Sequence, residues 1–208
     1  MNKVTLKSVW LNLLAPITTT LEAEKEWGNI VDHYTQAHRH YHTLQHLEDM
    51  YIHLSMYYNQ SIPPASLLAL FYHDFEYNPL RCDNEQQSAV YAKSRLTAWG
   101  APQHLIDEVV VMIHATKLHD INASNIEIAV FLDADMAILG VERDAYLLYC
   151  EQVRKEFNVY PDFLYRKGRK AFLEATLHKP SIFGQSYFYD QFEQQARLNI
   201  EHELKQWL

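Results

Sequence analysis

The chain has 208 residues, of which 48% are hydrophobic and 21% charged, with a formal net charge of −8 and a pI near 5.8. Such a chain is long enough to bury one core without staples, and its acidic balance excludes a broad nucleic-acid or anionic-membrane footprint. Five glycines and seven prolines are few for a protein of many short strands, while Cys82 and Cys150 supply neither a disulfide framework nor a CxxC pair, so a reducing, cytoplasmic setting is expected.

The N-terminal MNKVTLKSVWLNLLAPITTT begins like a secretory signal, with two lysines before a short apolar run. Asn12 interrupts that run and no A-x-A site follows, so export is not expected. No apolar segment reaches the ~18 residues of a membrane span. Thr19-Thr20-Leu21-Glu22 is a capping box that opens a helix to about residue 36, with Leu21, Trp27, Ile30, Val31 and Tyr34 near one stripe. AHRHY interrupts it. A second helix, about 42 to 58, carries Leu44, Leu47, Met50, Tyr51, Leu54 and Tyr58 on its apolar side. The next starts at Pro63-Pro64, runs into His73-Asp74 and stops near Asn78-Pro79. Asp83-Asn84-Glu85-Gln86 offers the cap of a helix ending at Gly100, and Pro102 opens another to about Lys117. Ser124-Asn125-Ile126-Glu127 is a capping box for IEIAVFLDADMAIL, which ends at Gly140. Helices over about 142–158, 161–178 and 186–207 complete the chain. The expectation is an all-α, single-domain helical bundle over residues 1–208, with a core of about 20–140 and the helices of 141–208 packed on it.

Six of the twelve histidines lie between residues 33 and 53. His42 and His46 are four apart and would share a helix face; His33, His38, His40 and His53 read as solvated or hydrogen-bonded surface residues. His73-Asp74 ends a run apolar enough to be buried, LLALFYHDFEYNP. Asp133 and Asp135 lie in the middle of another apolar helix, and no Lys or Arg occurs between residues 118 and 142. Carboxylates in such surroundings are costly unless paired or metal-bound. Distant arginines such as Arg154, Arg166 or Arg197 are one answer, a metal ion another. Two imidazoles and two carboxylates from separate helices make a mixed nitrogen and oxygen set suited to a borderline or hard divalent ion.

The ordered pieces YHTLQHLEDM, ALFYHDFEY and FLDADMAILG resemble the H…HD…D pattern of the HD-domain metal-dependent phosphohydrolases. With RHYHT, DNEQQSA, VRKEF, RKGR and EQQARLN, the likeness to an uncharacterised bacterial branch of that superfamily extends from about residue 38 to 200. The resemblance implies an HD-type helical domain in which His46, His73, Asp74 and Asp135 are the metal ligands, His42 being the alternative first ligand. YHTLQH is also similar to a segment of cyclic-nucleotide phosphodiesterases in which the second histidine binds metal and the first donates a proton, which implies a general-acid role for His42; Asp74 of the HD pair is the other catalytic candidate. Two-metal relatives carry further histidines, for which His114 and His119 are the candidates here.

One divalent metal (Mn, Mg, Fe, Co, Ni or Zn) with open positions would activate water and polarise a phosphoryl oxygen. The expected activity is hydrolysis of a phosphate ester of a small metabolite, plausibly a nucleotide, by a monomer or homodimer. Alternatives are a non-catalytic nucleotide- or partner-binding module with a structural metal, and a di-iron oxygenase. Asp133, two residues from Asp135 and so about 200° around the helix, is assigned to supporting work. Arg154, Arg166, Arg169 and Arg197 are candidates for the substrate phosphate, or else solvated helix faces. Asn84 and Glu85 could line the same cleft, or simply cap their helix.

Overall fold

The computed structural model describes residues 5–119 and 125–206. Among these residues every regular element is helical and no strand occurs. The chain divides into two compact units, Met1–Leu118 and His119–Leu208.

The first unit holds α1 (Leu6–Leu14), α2 (Thr20–Tyr34), α3 (Leu44–Tyr57), α4 (Pro64–Tyr72), α5 (Asn84–Ala98) and α6 (Gln103–Ala115). Helix α1 lies in the segment whose sequence resembled a failed secretory signal. Its start is a reciprocal box, Ser8 N–H donating to Thr5 Oγ1 and Thr5 N–H to Ser8 Oγ, each at 3.2 Å. Trp10 anchors it in the core: the ring is fully buried, its Nε1–H donates to the Ala23 carbonyl at 2.8 Å, and Phe71 and Tyr72 meet it edge-on. Helix α4 is apolar all round, and seven of its nine residues, Ala65, Ser66, Leu68, Ala69, Leu70, Phe71 and Tyr72, are buried. A helix of that kind has no solvent face and sits inside the unit. Its buried neighbours include a carboxylate: Glu26 has no exposure, receives the Tyr72 hydroxyl at 3.1 Å and the Asn29 amide at 2.9 Å, and forms an ion pair with Arg95, whose Nε lies 3.0 Å away.

The second unit contains α7 (Ile126–Met136), a 3-10 turn over Ala137–Gly140, α8 (Arg143–Glu156), α9 (Asp162–His178) and α10 (Ser186–Lys205). The Ser124 half of the expected capping box lies outside the described residues; Asn125 caps α7, its Oδ1 accepting from Glu127 and Ile128 N–H. Two devices hold α10 against the 3-10 turn. Asn199 Nδ2 donates to the Leu139 and Val141 carbonyls, both at 2.9 Å, and at Gly140 an added Cβ would meet Phe192 Cβ, O and Cα at 2.5 to 2.8 Å. Only a residue without a side chain lets the two backbones approach so closely.

Arg169 and Glu203 form a buried pair between α9 and α10, with 8% and 4% exposure. Arg169 Nε and Nη2 donate to the two Glu203 oxygens at 3.0 and 3.1 Å, and Nη1 donates to the Tyr149 hydroxyl at 2.9 Å. Tyr146 and Cys150 also donate to Glu203. Burial alone would push the Glu203 carboxyl up, but the hydrogen bonds and charge of Arg169, aided by Tyr146 and Cys150, hold it below its ordinary value of 4.5. A depressed carboxyl stabilises the fold above its unfolded pKa and loses that contribution as the pH falls through its folded one. Urea unfolding is therefore expected to show this pair's contribution intact at neutral pH and lost progressively below 4.5. Arg169→Met should cost about 3–5 kcal/mol by leaving a buried carboxylate uncompensated, while Arg169→Met with Glu203→Leu should recover most of the loss. Equal losses in the single and double variants would contradict this reading.

Candidate metal centre

The first unit gathers four of the sequence-predicted site residues. His73 and Asp74 do not lie within a helix that runs on to Asn78-Pro79. Helix α4 stops at Tyr72, His73 is its C-cap, and Phe75 N–H closes a tight turn on the Tyr72 carbonyl at 3.2 Å. Helix α3 likewise starts later than the spacing suggested. Thr43 is its N-cap, its hydroxyl accepting from Gln45 N–H, so His42 precedes the helix and does not stack on His46 by helical geometry. The two rings nevertheless lie 5.8 Å apart, because the turn before Thr43 folds His42 back toward the same place.

His46 Nε2 lies 3.2 Å from His73 Nε2, and Asp74 Oδ2 lies 3.1 Å from His73 Nε2 and 3.8 Å from His46 Nε2. These three side chains are a His-His-Asp cluster within metal-binding distance of one another. His42 Nε2 is 3.9 Å from the same Asp74 oxygen. The two central imidazoles are buried, at 2% and 1% side-chain exposure, whereas His42 and Asp74 keep 22% and 18%, so the cluster has a closed floor and an open side.

The protonation pattern follows from the partners. His73 Nδ1 lies 3.0 Å from the Leu70 carbonyl. A carbonyl can only accept, so Nδ1 carries a proton and, in the neutral ring, Nε2 presents its lone pair. That lone pair then faces a carboxylate oxygen at 3.1 Å. Two electron-pair donors at this separation need a proton or a cation between them, and imidazole nitrogens fixed by outer hydrogen bonds beside a carboxylate are also groups that a divalent ion uses.

Arg39 holds the architecture in place. It is 5% exposed, its Nη1 donates to the His42 carbonyl at 3.2 Å and the Asp74 carbonyl at 2.7 Å, and its Nη2 donates to the Phe75 carbonyl at 2.7 Å. The guanidinium lies 4.9 Å from the Tyr34 ring centre and 5.3 Å from that of Tyr77. Carbonyls beyond a helix end have no intrahelical partner; here one buried cation satisfies them and ties the His42 turn to the His73-Asp74 turn. Nothing in the hydropathy pattern marks Arg39, although it is the only arginine before residue 81 and stands in the middle of AHRHY.

In the second unit Asp135 is 14% exposed and accepts from His119 Nε2 at 2.8 Å. Asp133 is fully buried, and among the described residues backbone amides rather than an arginine meet it, with Glu193 near enough to repel its charge. Its two oxygens accept backbone N–H groups of Gly184, at 2.9 and 3.1 Å, and Gln185, at 2.7 Å, just ahead of α10. Burial pushes its carboxyl up to about 6 despite those bonds. Arg154 is engaged by Asp162 and the Phe157 and Tyr160 carbonyls, and Arg197 by Glu193 and the Leu177, Lys179 and Pro180 carbonyls. With Arg169 held by Glu203, three of the four candidate phosphate arginines are bound within their own unit; Arg166 is exposed. In the first unit Asn84 brackets the backbone of Asn78, donating to its carbonyl at 2.9 Å and accepting its N–H at 3.1 Å. Glu85 stands half-buried in the first turn of α5, and His114, also half-buried, in the last turn of α6.

The chain matches no family model, no curated protein and no solved structure.

Replacing Arg39 with Met should cost about 2–3 kcal/mol, since hydrogen bonds from a charged donor are lost at buried carbonyls. Amide exchange should rise over residues 42–44 and 73–76 together. Arg39→Lys should restore little, because one ammonium cannot reproduce a planar fork. Unchanged exchange in Arg39→Met would show that the two turns hold themselves.

Proposed function

We propose that the chain is a metal-dependent phosphohydrolase of the HD type, acting on a phosphate ester of a small metabolite. The observation that carries this reading is the convergence of His46, His73 and Asp74, with His73 Nε2 turned toward a carboxylate oxygen at 3.1 Å. The likeness of FLDADMAILG to the family pattern adds Asp135 as the proposed further ligand, for a donor set of two imidazoles and two carboxylates, the composition that borderline and hard divalent ions accept. His119, already in contact with Asp135, would orient that carboxylate.

A divalent cation at such a set supplies an activated water near neutral pH and polarises a phosphoryl oxygen. The chain's own groups do the rest. His42 stands at the open side of the cluster, 3.9 Å from Asp74 and with its ring 4.3 Å from that of Tyr77, where it can deliver a proton to the departing oxygen. Asp74, which keeps 18% exposure at the open side, would accept the proton of the attacking water, and buried His46 and His73 exclude bulk solvent from the floor. Arg39 fixes the backbone from which His42 and Asp74 project.

The test is metal content, melting temperature and turnover measured together, with Mn, Mg, Fe, Co, Ni and Zn against phosphomonoesters, phosphodiesters and nucleotides. His73→Ala and Asp74→Ala should each reduce metal affinity at least tenfold and abolish hydrolysis. His42→Ala should retain metal while turnover falls by about 10²–10⁴-fold, the usual worth of general acid catalysis. Asp135→Ala should weaken metal binding; unchanged affinity would remove it from the ligand set. Metal retained in both His73→Ala and Asp74→Ala would overturn the assignment.

A further inference from the structure

The second unit contains a cavity of about 550 Å³ between α8 and α9, walled by Tyr149, Val153, Phe157, Tyr160, Tyr165 and Phe172. This volume lies within the range of small-molecule sites, which are mostly apolar with a few placed polar groups. Two observations distinguish it from a packing defect. The first is Gly168, which lines the cavity from the interior of the 17-residue α9. Glycine is disfavoured at such a position relative to alanine, and no crowding requires it: a Cβ built there meets no atom within 4 Å. Gly168 is itself exposed at the edge of the cavity, so a bulky side chain there would meet no crowding and could reach across that edge. The second is Arg169, which lines the cavity while 92% buried, being 8% exposed. Of its five N–H donors, two bond Glu203 and one bonds Tyr149, which leaves two beyond those bonds.

We propose that this cavity is a ligand site for a neutral molecule with an apolar body and one oxygen acceptor, such as a ketone, ester or amide. The aromatic walls take the body and Arg169 takes the acceptor. Charge decides the class. Glu203 already balances Arg169, so an ionised ligand would bring an uncompensated charge into an apolar cavity, which is costly. Phe172 and Leu164 keep 39% and 45% exposure at the cavity and provide its mouth. The inference does not rest on the phosphohydrolase reading.

The experiment titrates the full chain with 2-decanone and with decanoate, following ligand-observed NMR saturation and the melting temperature. The ketone should bind saturably at one site and raise the melting temperature. Gly168→Phe should weaken it at least tenfold, and Gly168→Ala should fall between that variant and the wild type. The ligand-free variants should melt no lower than the wild type, since a helix-interior glycine has been removed. Should Gly168→Phe fail to fold, Gly168→Ala decides by the same graded loss. Absence of saturable ketone binding, or undiminished binding in the Gly168 variants, overturns the site; tighter binding of decanoate than of the ketone overturns the assignment of a neutral ligand.

Discussion

The first unit is organised by the end of a helix that has no access to water. Helix α4 is buried almost throughout, so the carbonyls beyond its last turn must find partners inside the protein. Arg39 provides them for Asp74 and Phe75 and extends the same guanidinium to His42. This interaction sets the direction in which the chain leaves α4, and with it the place where His73 and Asp74 face His46. Without a charged donor at that point, the apolar helix could not be buried and still deliver two polar side chains to one spot.

The cluster is polarised in its surroundings as well as in its chemistry. His46 and His73 are enclosed, His42 and Asp74 are partly open, and the aromatic ring of Tyr77 lies against His42. A closed floor preserves the strength of electrostatic interactions, whereas an open side admits a ligand and water. The second unit manages its buried charges differently. Glu203 is balanced by Arg169, Glu193 accepts the Ile182 and Phe183 amides, and Asp133 is satisfied by the Gly184 and Gln185 amides. These are hydrogen-bonded anchors, and they account for why α7 and α10 carry acidic groups in their buried faces.

Much of the fold was legible because helix signals are local. Thr19, Pro64 and Pro102 mark helix starts within two residues of where they occur, and Gly100, at φ +74°, ends its helix in the left-handed region where glycine is favoured. The all-α class followed from the scarcity of glycine and proline and the absence of period-2 runs. Helix α1 was hidden because its lysines and short apolar run also fit a leader peptide, and the signal that identifies it, Thr5 with Ser8, is a polar pair at capping distance. Of the candidate site, residue types and order were readable, but register was not. The four-residue spacing of His42 and His46 suggested one helix face, whereas Thr43 captures the Gln45 amide and starts the helix after His42. Asp133 shows the other limit: a carboxylate satisfied by backbone amides about fifty residues away leaves no trace in its neighbours. Arg39 was invisible for the same reason, since its partners are carbonyls, which every residue carries.

X-ray absorption spectroscopy on the manganese- or zinc-loaded full chain tests the central claim most directly. The account predicts a shell of nitrogen and oxygen neighbours at about 2.0–2.2 Å with the multiple-scattering signature of two imidazoles, reduced to one imidazole in His73→Ala. A bound ion with no imidazole in its shell, or a shell identical in wild type and His73→Ala, would contradict it.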